Sequence, residues 1–198
     1  MPAWERFGIA MNDQAIQLKK LTLTALFIAL GVLLAPFVSF PFGGARVFPL
    51  QHLINVLLAV LLGWRYSTAG AFCISSIRIA MGVGTILAYP GSMIGACLSG
   101  ILYKKTGSIW GAVVGEIIGT GVLGGLIAYP LAAFILDSKA VALWFFIVAF
   151  LPNTFIGSIC AAVLLKNSAP EKTGRRFTET INSVSRHEFC CQSPICID

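Results

Sequence analysis

Six long runs of apolar residues follow one another between Leu21 and Leu165, separated by short segments that contain most of the polar residues. The runs lack the alternation of apolar and polar positions that is typical of a barrel strand. Since a bilayer offers no hydrogen-bond partners to the backbone, the runs are predicted to be helices. The predicted spans are residues 21–40, 49–62, 66–80, 86–103, 109–136 and 141–165.

The second and third of these spans are short for a bilayer, at 1.5 Å of rise per residue. We expect them either to start in a thinned or protein-covered region or to be tilted pieces flanked by re-entrant loops. The predicted fold is therefore all-α and membrane-embedded, with six helices in a compact bundle.

Composition supports a membrane protein. Only eight charged residues occur between Leu21 and Leu165, and 57% of the 198 residues are hydrophobic. Mean hydropathy is +0.86, whereas roughly a quarter of the residues of a soluble domain are charged. This composition excludes a soluble enzyme, a nucleic-acid-binding module and a disordered chain.

The chain divides into three parts. Residues 1–20 form a cytoplasmic leader, either a short interfacial helix or an unstructured segment that would fit a translation start at Met11. Residues 21–165 form the membrane domain. Residues 166–198 form a polar cytoplasmic tail, expected to be disordered.

Lysine and arginine give the expected orientation. With six spans, one side of the membrane receives the basic residues of both terminal flanks and of the loops at Arg65 and at Lys104 and Lys105. The opposite side receives only three, namely Arg46, Arg78 and Lys139. By the positive-inside rule, both termini are predicted to be cytoplasmic.

Polar side chains recur in the outer half of the predicted bundle. Gln51, His52 and Asn55 share one face of the second span, because they are three or four residues apart. Asn153 follows Pro152 in the outer half of the sixth span. Such side chains are costly against lipid, so they are predicted to face a polar cavity. Hydrogen bonding between helices is the alternative.

Other features point to the same end of the bundle. The tripeptide Ala-Tyr-Pro occurs twice and brings Tyr89 and Tyr129 to the outer end, although an ordinary aromatic belt would also explain them. The first outer loop contains Arg46 beside Gly43 and Gly44, which permit a hinge.

Glu116 is the only carboxylate inside a predicted span and lies deeper than the tyrosines. An intramembrane acid is a functional hypothesis by default. Two interpretations stay open: Glu116 lines the floor of the pocket, or it pairs with Arg78 or a polar neighbour as a structural lock.

Small residues are regularly spaced in spans four and five, as in Gly111, Gly115 and Gly119. This spacing lets helix backbones approach closely, and we interpret it mainly as packing within the bundle.

No catalytic motif, cofactor motif or ATP site is present. The tail contains His187, Cys190, Cys191 and Cys196, but without a paired C-x-x-C arrangement a zinc site is not expected. Cys73, Cys97 and Cys160 lie in apolar runs, where a thiol behaves as a small hydrophobe.

Several segments resemble a known family. The first span, from Leu23 to Gly31, resembles the first helix of substrate-binding S components of energy-coupling factor (ECF) transporters. The segments 43–55, 89–93 and 115–121 are similar to the ThiW family in particular. The resemblance covers about Leu21 to Leu165, and the cysteine-containing tail departs from it.

The resemblance implies an S component that captures a vitamin precursor outside the cell and joins a transmembrane coupling protein and two cytoplasmic ATPases. ThiW implies hydroxyethylthiazole, the small neutral thiazole precursor of thiamine. Ala25 and Ala29 match the small-residue motif that docks on the coupling protein. No cofactor is implied beyond the ATP that the partner ATPases use. The expected substrate-binding residues are Arg46, Gln51, His52, Asn55, Tyr89, Tyr129 and Asn153, with Glu116 and Thr120 as further candidates.

Three alternatives stay open. The first is an S component for another thiamine-related vitamin or precursor. The second is an integral-membrane enzyme or structural subunit that uses Glu116 and His52, against which the missing catalytic motifs argue. The third is a stand-alone facilitator that uses the same pocket.

Overall fold

A computed structural model describes residues 3–42, 45–135 and 143–168, and the side chains of 14–39, 47–132, 134 and 146–167. Within these residues, the regular elements are helices and one small hairpin. The elements are α1 (Ala3–Val38), β1 (Phe40–Phe42), β2 (Ala45–Val47), α2 (Pro49–Leu61), α3 (Trp64–Ala80), α4 (Ala88–Thr106), α5 (Ile109–Glu116), a π-helical segment (Ile117–Gly124), α6 (Gly125–Ile135) and α7 (Leu143–Ser168).

The all-helical prediction is confirmed, with two differences. Strands β1 and β2 form an antiparallel pair in the loop between α1 and α2, in which Phe40 pairs with Val47. The first helix begins at Ala3, so residues 3–20 continue directly into the first predicted span. Gly43 and Gly44, Lys139 and the tail cysteines lie outside the described residues.

Three helices of the described part are long and apolar enough to cross a membrane: Gln14–Val38, Ile109–Ala132 and Phe146–Asn167. The shorter α2 is apolar as well. It packs against α1, α3, α4, α5 and α7, so its surroundings are largely protein. A polar face on α2 can therefore be satisfied by side chains of neighbouring helices.

Helix ends follow from local chemistry. Pro49 starts α2 at a position where no backbone N–H is needed. Gly107 ends α4 with φ of 68°, a left-handed conformation that glycine adopts at low cost. The Ser108 side chain then accepts a hydrogen bond from the Trp110 backbone N–H and caps α5.

Glycines hold α4 against the π segment at backbone contact. A Cβ atom on Gly119 would lie 2.5 Å from the Cα of Gly95, and one on Gly124 would lie 2.5 Å from the Cα of Gly91. Both distances are too short for any side chain. The prediction that the small residues serve packing within the bundle is thus confirmed.

Buried apolar residues form separate clusters along the bundle. One lies where α2, α5 and the end of α7 meet, around Val56, Val113 and Ala161. Another lies where α6 meets the start of α7, around Ala128 and Phe146. Between these two clusters lie three polar residues: Glu116 at the end of α5, Thr120 in the π segment and Asn153 on α7. Polar side chains are thus enclosed between apolar layers.

Candidate functional site

Glu116 is the centre of a buried polar layer. Its side chain is fully buried, and its Oε1 atom accepts two short hydrogen bonds. The Nδ1 atom of His52 lies 2.9 Å away and the Nδ2 atom of Asn55 lies 3.0 Å away. The Thr120 hydroxyl lies 3.2 Å from the same oxygen and 3.1 Å from the Gly91 carbonyl oxygen.

His52 connects this carboxylate to α7. Its Nε2 atom lies 3.1 Å from Nδ2 of Asn153. One proton assignment satisfies both ring nitrogens: Nδ1–H donates to Glu116, and Nε2 accepts from the Asn153 amide. Gly157 on α7 allows this approach, because a Cβ atom there would lie 2.2 Å from the Pro49 carbonyl oxygen.

A second branch of the layer runs to α3. The Gln51 amide donates to the Ser75 hydroxyl at 2.8 Å, and Ser75 lies 3.1 Å from the hydroxyl of Ser92 on α4. Asn55 reaches the Ser92 carbonyl oxygen at 3.5 Å. The two branches therefore meet at Asn55.

Arg78 forms the end of this branch. Its Nη1 donates to the side-chain Oε1 of Gln51 at 2.6 Å, and its Nη2 donates to the backbone carbonyl oxygen of Val83 at 3.3 Å. The guanidinium carbon lies 4.2 Å from the centre of the Phe48 ring. Arg78 is only 4% exposed. Its partner is Gln51. Glu116 therefore does not pair with Arg78, and it bonds the polar neighbours His52 and Asn55 instead.

Several polar atoms of the layer lack a hydrogen-bond partner within the described part of the chain. Three are acceptors: Oδ1 of Asn55, Oε2 of Glu116 and Oδ1 of Asn153. One is a donor, Nε of Arg78. Buried polar groups are almost always paired in native proteins. These atoms are therefore candidates to contact a ligand.

The layer contains most of the residues that the sequence singled out. Gln51, His52 and Asn55 are buried on one face of α2, and Asn153, Glu116 and Thr120 join them from other helices. Tyr89 lies beside the layer: its hydroxyl donates to Ser76 at 2.8 Å, and its backbone carbonyl lies 3.4 Å from the Ser92 hydroxyl.

Of the two remaining predicted residues, the structure describes the side chain of Tyr129 only. Tyr129 is 40% exposed, and the structure does not bring it to the polar layer. Arg46 lies in β2, but its side chain is outside the described residues.

Sequence reasoning missed three members: Ser75, Ser92 and Arg78 as a partner of Gln51. The signal for Arg78 was its place in an apolar run. Ser75 and Ser92 gave no sequence signal, because serine is common in membrane helices.

Ala25 and Ala29 lie away from this layer, on the exposed face of α1. Large apolar side chains surround them on that face, among them Leu26, Leu30 and Leu33. Only 17% of the most apolar 18-residue stretch of α1 is buried within the chain. A broad apolar surface with a small-residue stripe is thus left open on this helix.

Long apolar helices around a buried polar layer define a multi-pass membrane protein. A family model for the thiamine-precursor transporter protein ThiW matches residues 21–169. The chain belongs to the ThiW family, which is a family of transporters and not of enzymes. Comparison with curated proteins gave no match, and comparison with solved structures gave none either.

Proposed function

We propose that this transporter is the substrate-binding S component of an ECF-type importer and that it captures hydroxyethylthiazole in the polar layer around Glu116. The observation that carries this proposal is the set of unpaired acceptors on Asn55, Glu116 and Asn153. A ligand hydroxyl or amino group supplies the donor that they lack. Membership of a thiamine-precursor transporter family supports a small heteroaromatic ligand.

The chemistry of the layer fits a small polar ligand. The unpaired Oε2 of Glu116 accepts a hydrogen bond from the hydroxyl of hydroxyethylthiazole, and the side-chain oxygens of Asn55 and Asn153 offer alternative acceptors. Apolar clusters above and below exclude water, which strengthens these hydrogen bonds. A site built in this way discriminates strongly against analogues without the hydroxyl, because its buried acceptors would again be unpaired.

Docking on a coupling protein is proposed for the exposed face of α1. Ala25 and Ala29 are one helical turn apart, so they form a shallow stripe where a partner helix packs closely. In this proposal the coupling protein carries two cytoplasmic ATPases, which supply the energy for release of the ligand on the inner side. The chain itself has no ATP motif.

The proposal includes six membrane-crossing segments with both termini in the cytoplasm. The distribution of lysine and arginine supports this orientation. The hairpin of β1 and β2 then lies on the outer side, directly before α2 and its polar face. It is the proposed gate over the ligand.

Ligand binding is the first test. Purified protein is titrated with hydroxyethylthiazole, thiamine and the pyrimidine precursor by calorimetry. We expect hydroxyethylthiazole to bind most tightly, and His52→Ala and Asn153→Ala to weaken binding by about 1–3 kcal/mol each. Thr68→Ala, which removes an exposed hydroxyl that bonds the Trp64 carbonyl on α3, is the matched control. Absence of binding by all three compounds would contradict the substrate proposal.

Ala25→Trp tests the docking proposal separately. A bulky side chain on the small-residue stripe blocks close helix contact, so transport in cells that contain the coupling module is lost while ligand binding is retained. Ala69→Trp places the same side chain at an exposed position of α3 and is expected to transport normally. Uptake into liposomes without the coupling proteins would instead indicate a stand-alone facilitator.

A further inference from the structure

Arg78 is a buried cation whose direct contacts are neutral. Its guanidinium bonds Gln51 and the Val83 carbonyl oxygen and stacks on Phe48. The nearby carboxylate, Glu116, bonds His52 and Asn55 and not Arg78. Burying a guanidinium without a contacting anion costs several kcal/mol, so a structural explanation alone is weak.

A purely structural role for Arg78 would not require a buried guanidinium with an unpaired donor. A basic residue in the last turn of a helix stabilises the terminal carbonyl groups, and Arg78 occupies this position in α3. That role needs neither burial to 4% exposure nor an Nε donor that is left unpaired. The Phe48 ring covers one face of the guanidinium, and the unpaired Nε donor is directed in the plane of the group.

The position of Arg78 relative to Glu116 suits a single small ligand. Arg78 bonds Gln51, and Glu116 bonds Asn55. These two residues of α2 are one helical turn apart on the same face, so their Cβ atoms are about 5–6 Å apart. The unpaired donor and the unpaired acceptors therefore belong to neighbouring parts of one layer.

We infer that Arg78 binds an anionic substituent of the substrate, while the acceptors around Glu116 bind a hydroxyl at its other end. The substrate class is thus an anionic thiamine precursor, such as a thiazole with both a hydroxyethyl group and a ring carboxylate. This inference rests on the proposed capture of a thiamine precursor in the same layer, and it changes the expected charge of the ligand.

The test compares probes that differ in charge. Purified protein is titrated with hydroxyethylthiazole, with the same molecule carrying a carboxylate on ring carbon 2, and with its phosphate monoester. We expect the carboxylate to bind about ten- to hundredfold more tightly than the neutral compound, as for a hydrogen bond between charged groups. The phosphate arm shows whether the anion must be on the ring or can replace the hydroxyl.

Variants then assign this preference to Arg78. Arg78→Gln is expected to abolish the preference for the carboxylate, and Arg78→Lys, which keeps the charge, to retain part of it. Arg65→Gln is the matched control, because Arg65 is exposed and contacts only Trp64. The ratio of the two affinities is the readout, since a purely structural change weakens both probes alike.

The outcomes separate the two proposals. If the neutral compound binds as tightly as the carboxylate and Arg78→Lys leaves both affinities unchanged, the Arg78 inference is overturned and the proposed function stands. If no thiazole binds, both are overturned. Should Arg78→Gln fail to fold, the Arg78→Lys ratio and the wild-type ratio still decide between these outcomes.

Discussion

At the scale of single residues, the polar layer depends on side chains that each serve more than one partner. The Thr120 hydroxyl has one proton and lies near both the Glu116 carboxylate and the Gly91 carbonyl oxygen. It therefore helps to hold the acid and to join the π segment to α4. In an enclosed layer these bonds are worth more than at a water-exposed surface.

Thr120→Val is predicted to lower the free energy of unfolding by about 1 kcal/mol, because it removes the hydroxyl at nearly constant volume. Thermal unfolding in detergent measures this effect. Thr68→Val removes an exposed hydroxyl that bonds only the Trp64 carbonyl, so its effect is expected to be close to zero. Equal shifts for the two variants would contradict the role given to Thr120.

Some of these residues could be recognised from the sequence and others could not. Gln51, His52 and Asn55 stood out because three polar residues on one face of an apolar helix are costly in lipid. The partners of Glu116 on α2 are 61 and 64 positions away, and local spacing carries no information on such contacts. Arg78 was recognised as unusual, but its bond to Gln51 depends on how α2 and α3 pack.

At the scale of elements, the contact between α4 and the π segment holds the layer together. Gly95 and Gly119 bring the two backbones into direct contact, and Glu116 and Thr120 flank this point. A π segment interrupts the regular bonding of a helix and is frequent at functional sites. Its presence could not be predicted, since the glycine spacing alone suits an ordinary helix equally well.

Gly119→Ala is predicted to destabilise the protein strongly, because the new methyl group meets the backbone of Gly95 at 2.5 Å. Gly121→Ala, in the same π segment, is the matched control. There the nearest atoms belong to Leu151 and lie 3.2–3.5 Å from the new Cβ atom. Thermal midpoints in detergent should fall clearly further for Gly119→Ala. A larger fall for Gly121→Ala would show that backbone contact at Gly95 is not limiting.

At the scale of the whole molecule, the fold has a central pair, α2 and α4, and a peripheral helix, α1. The helical class and the approximate positions of the spans could be predicted, because apolar runs of this length have few alternatives. The hairpin of β1 and β2 could not, since three-residue strands leave almost no periodic signal.

Orientation in the membrane is predicted from the basic loops and can be measured directly. Thr85, between α3 and α4, and Thr106, at the end of α4, are both exposed. In a variant without native cysteines, Thr85→Cys should react with an impermeant thiol reagent on intact cells. Thr106→Cys should react only after permeabilisation. The reverse pattern would place the termini outside.

As the proposed substrate site, the connected polar layer also has a consequence for how members of this family can change their substrate. His52 and Asn55 each contact Glu116 and one further helix, α7 for His52 and α4 for Asn55. Replacing one of these groups therefore alters the environment of the others. A shift to a differently shaped or charged vitamin building block is therefore expected to require concerted replacements on α2, α4 and α7. Homologues with different cargo should differ at these positions together.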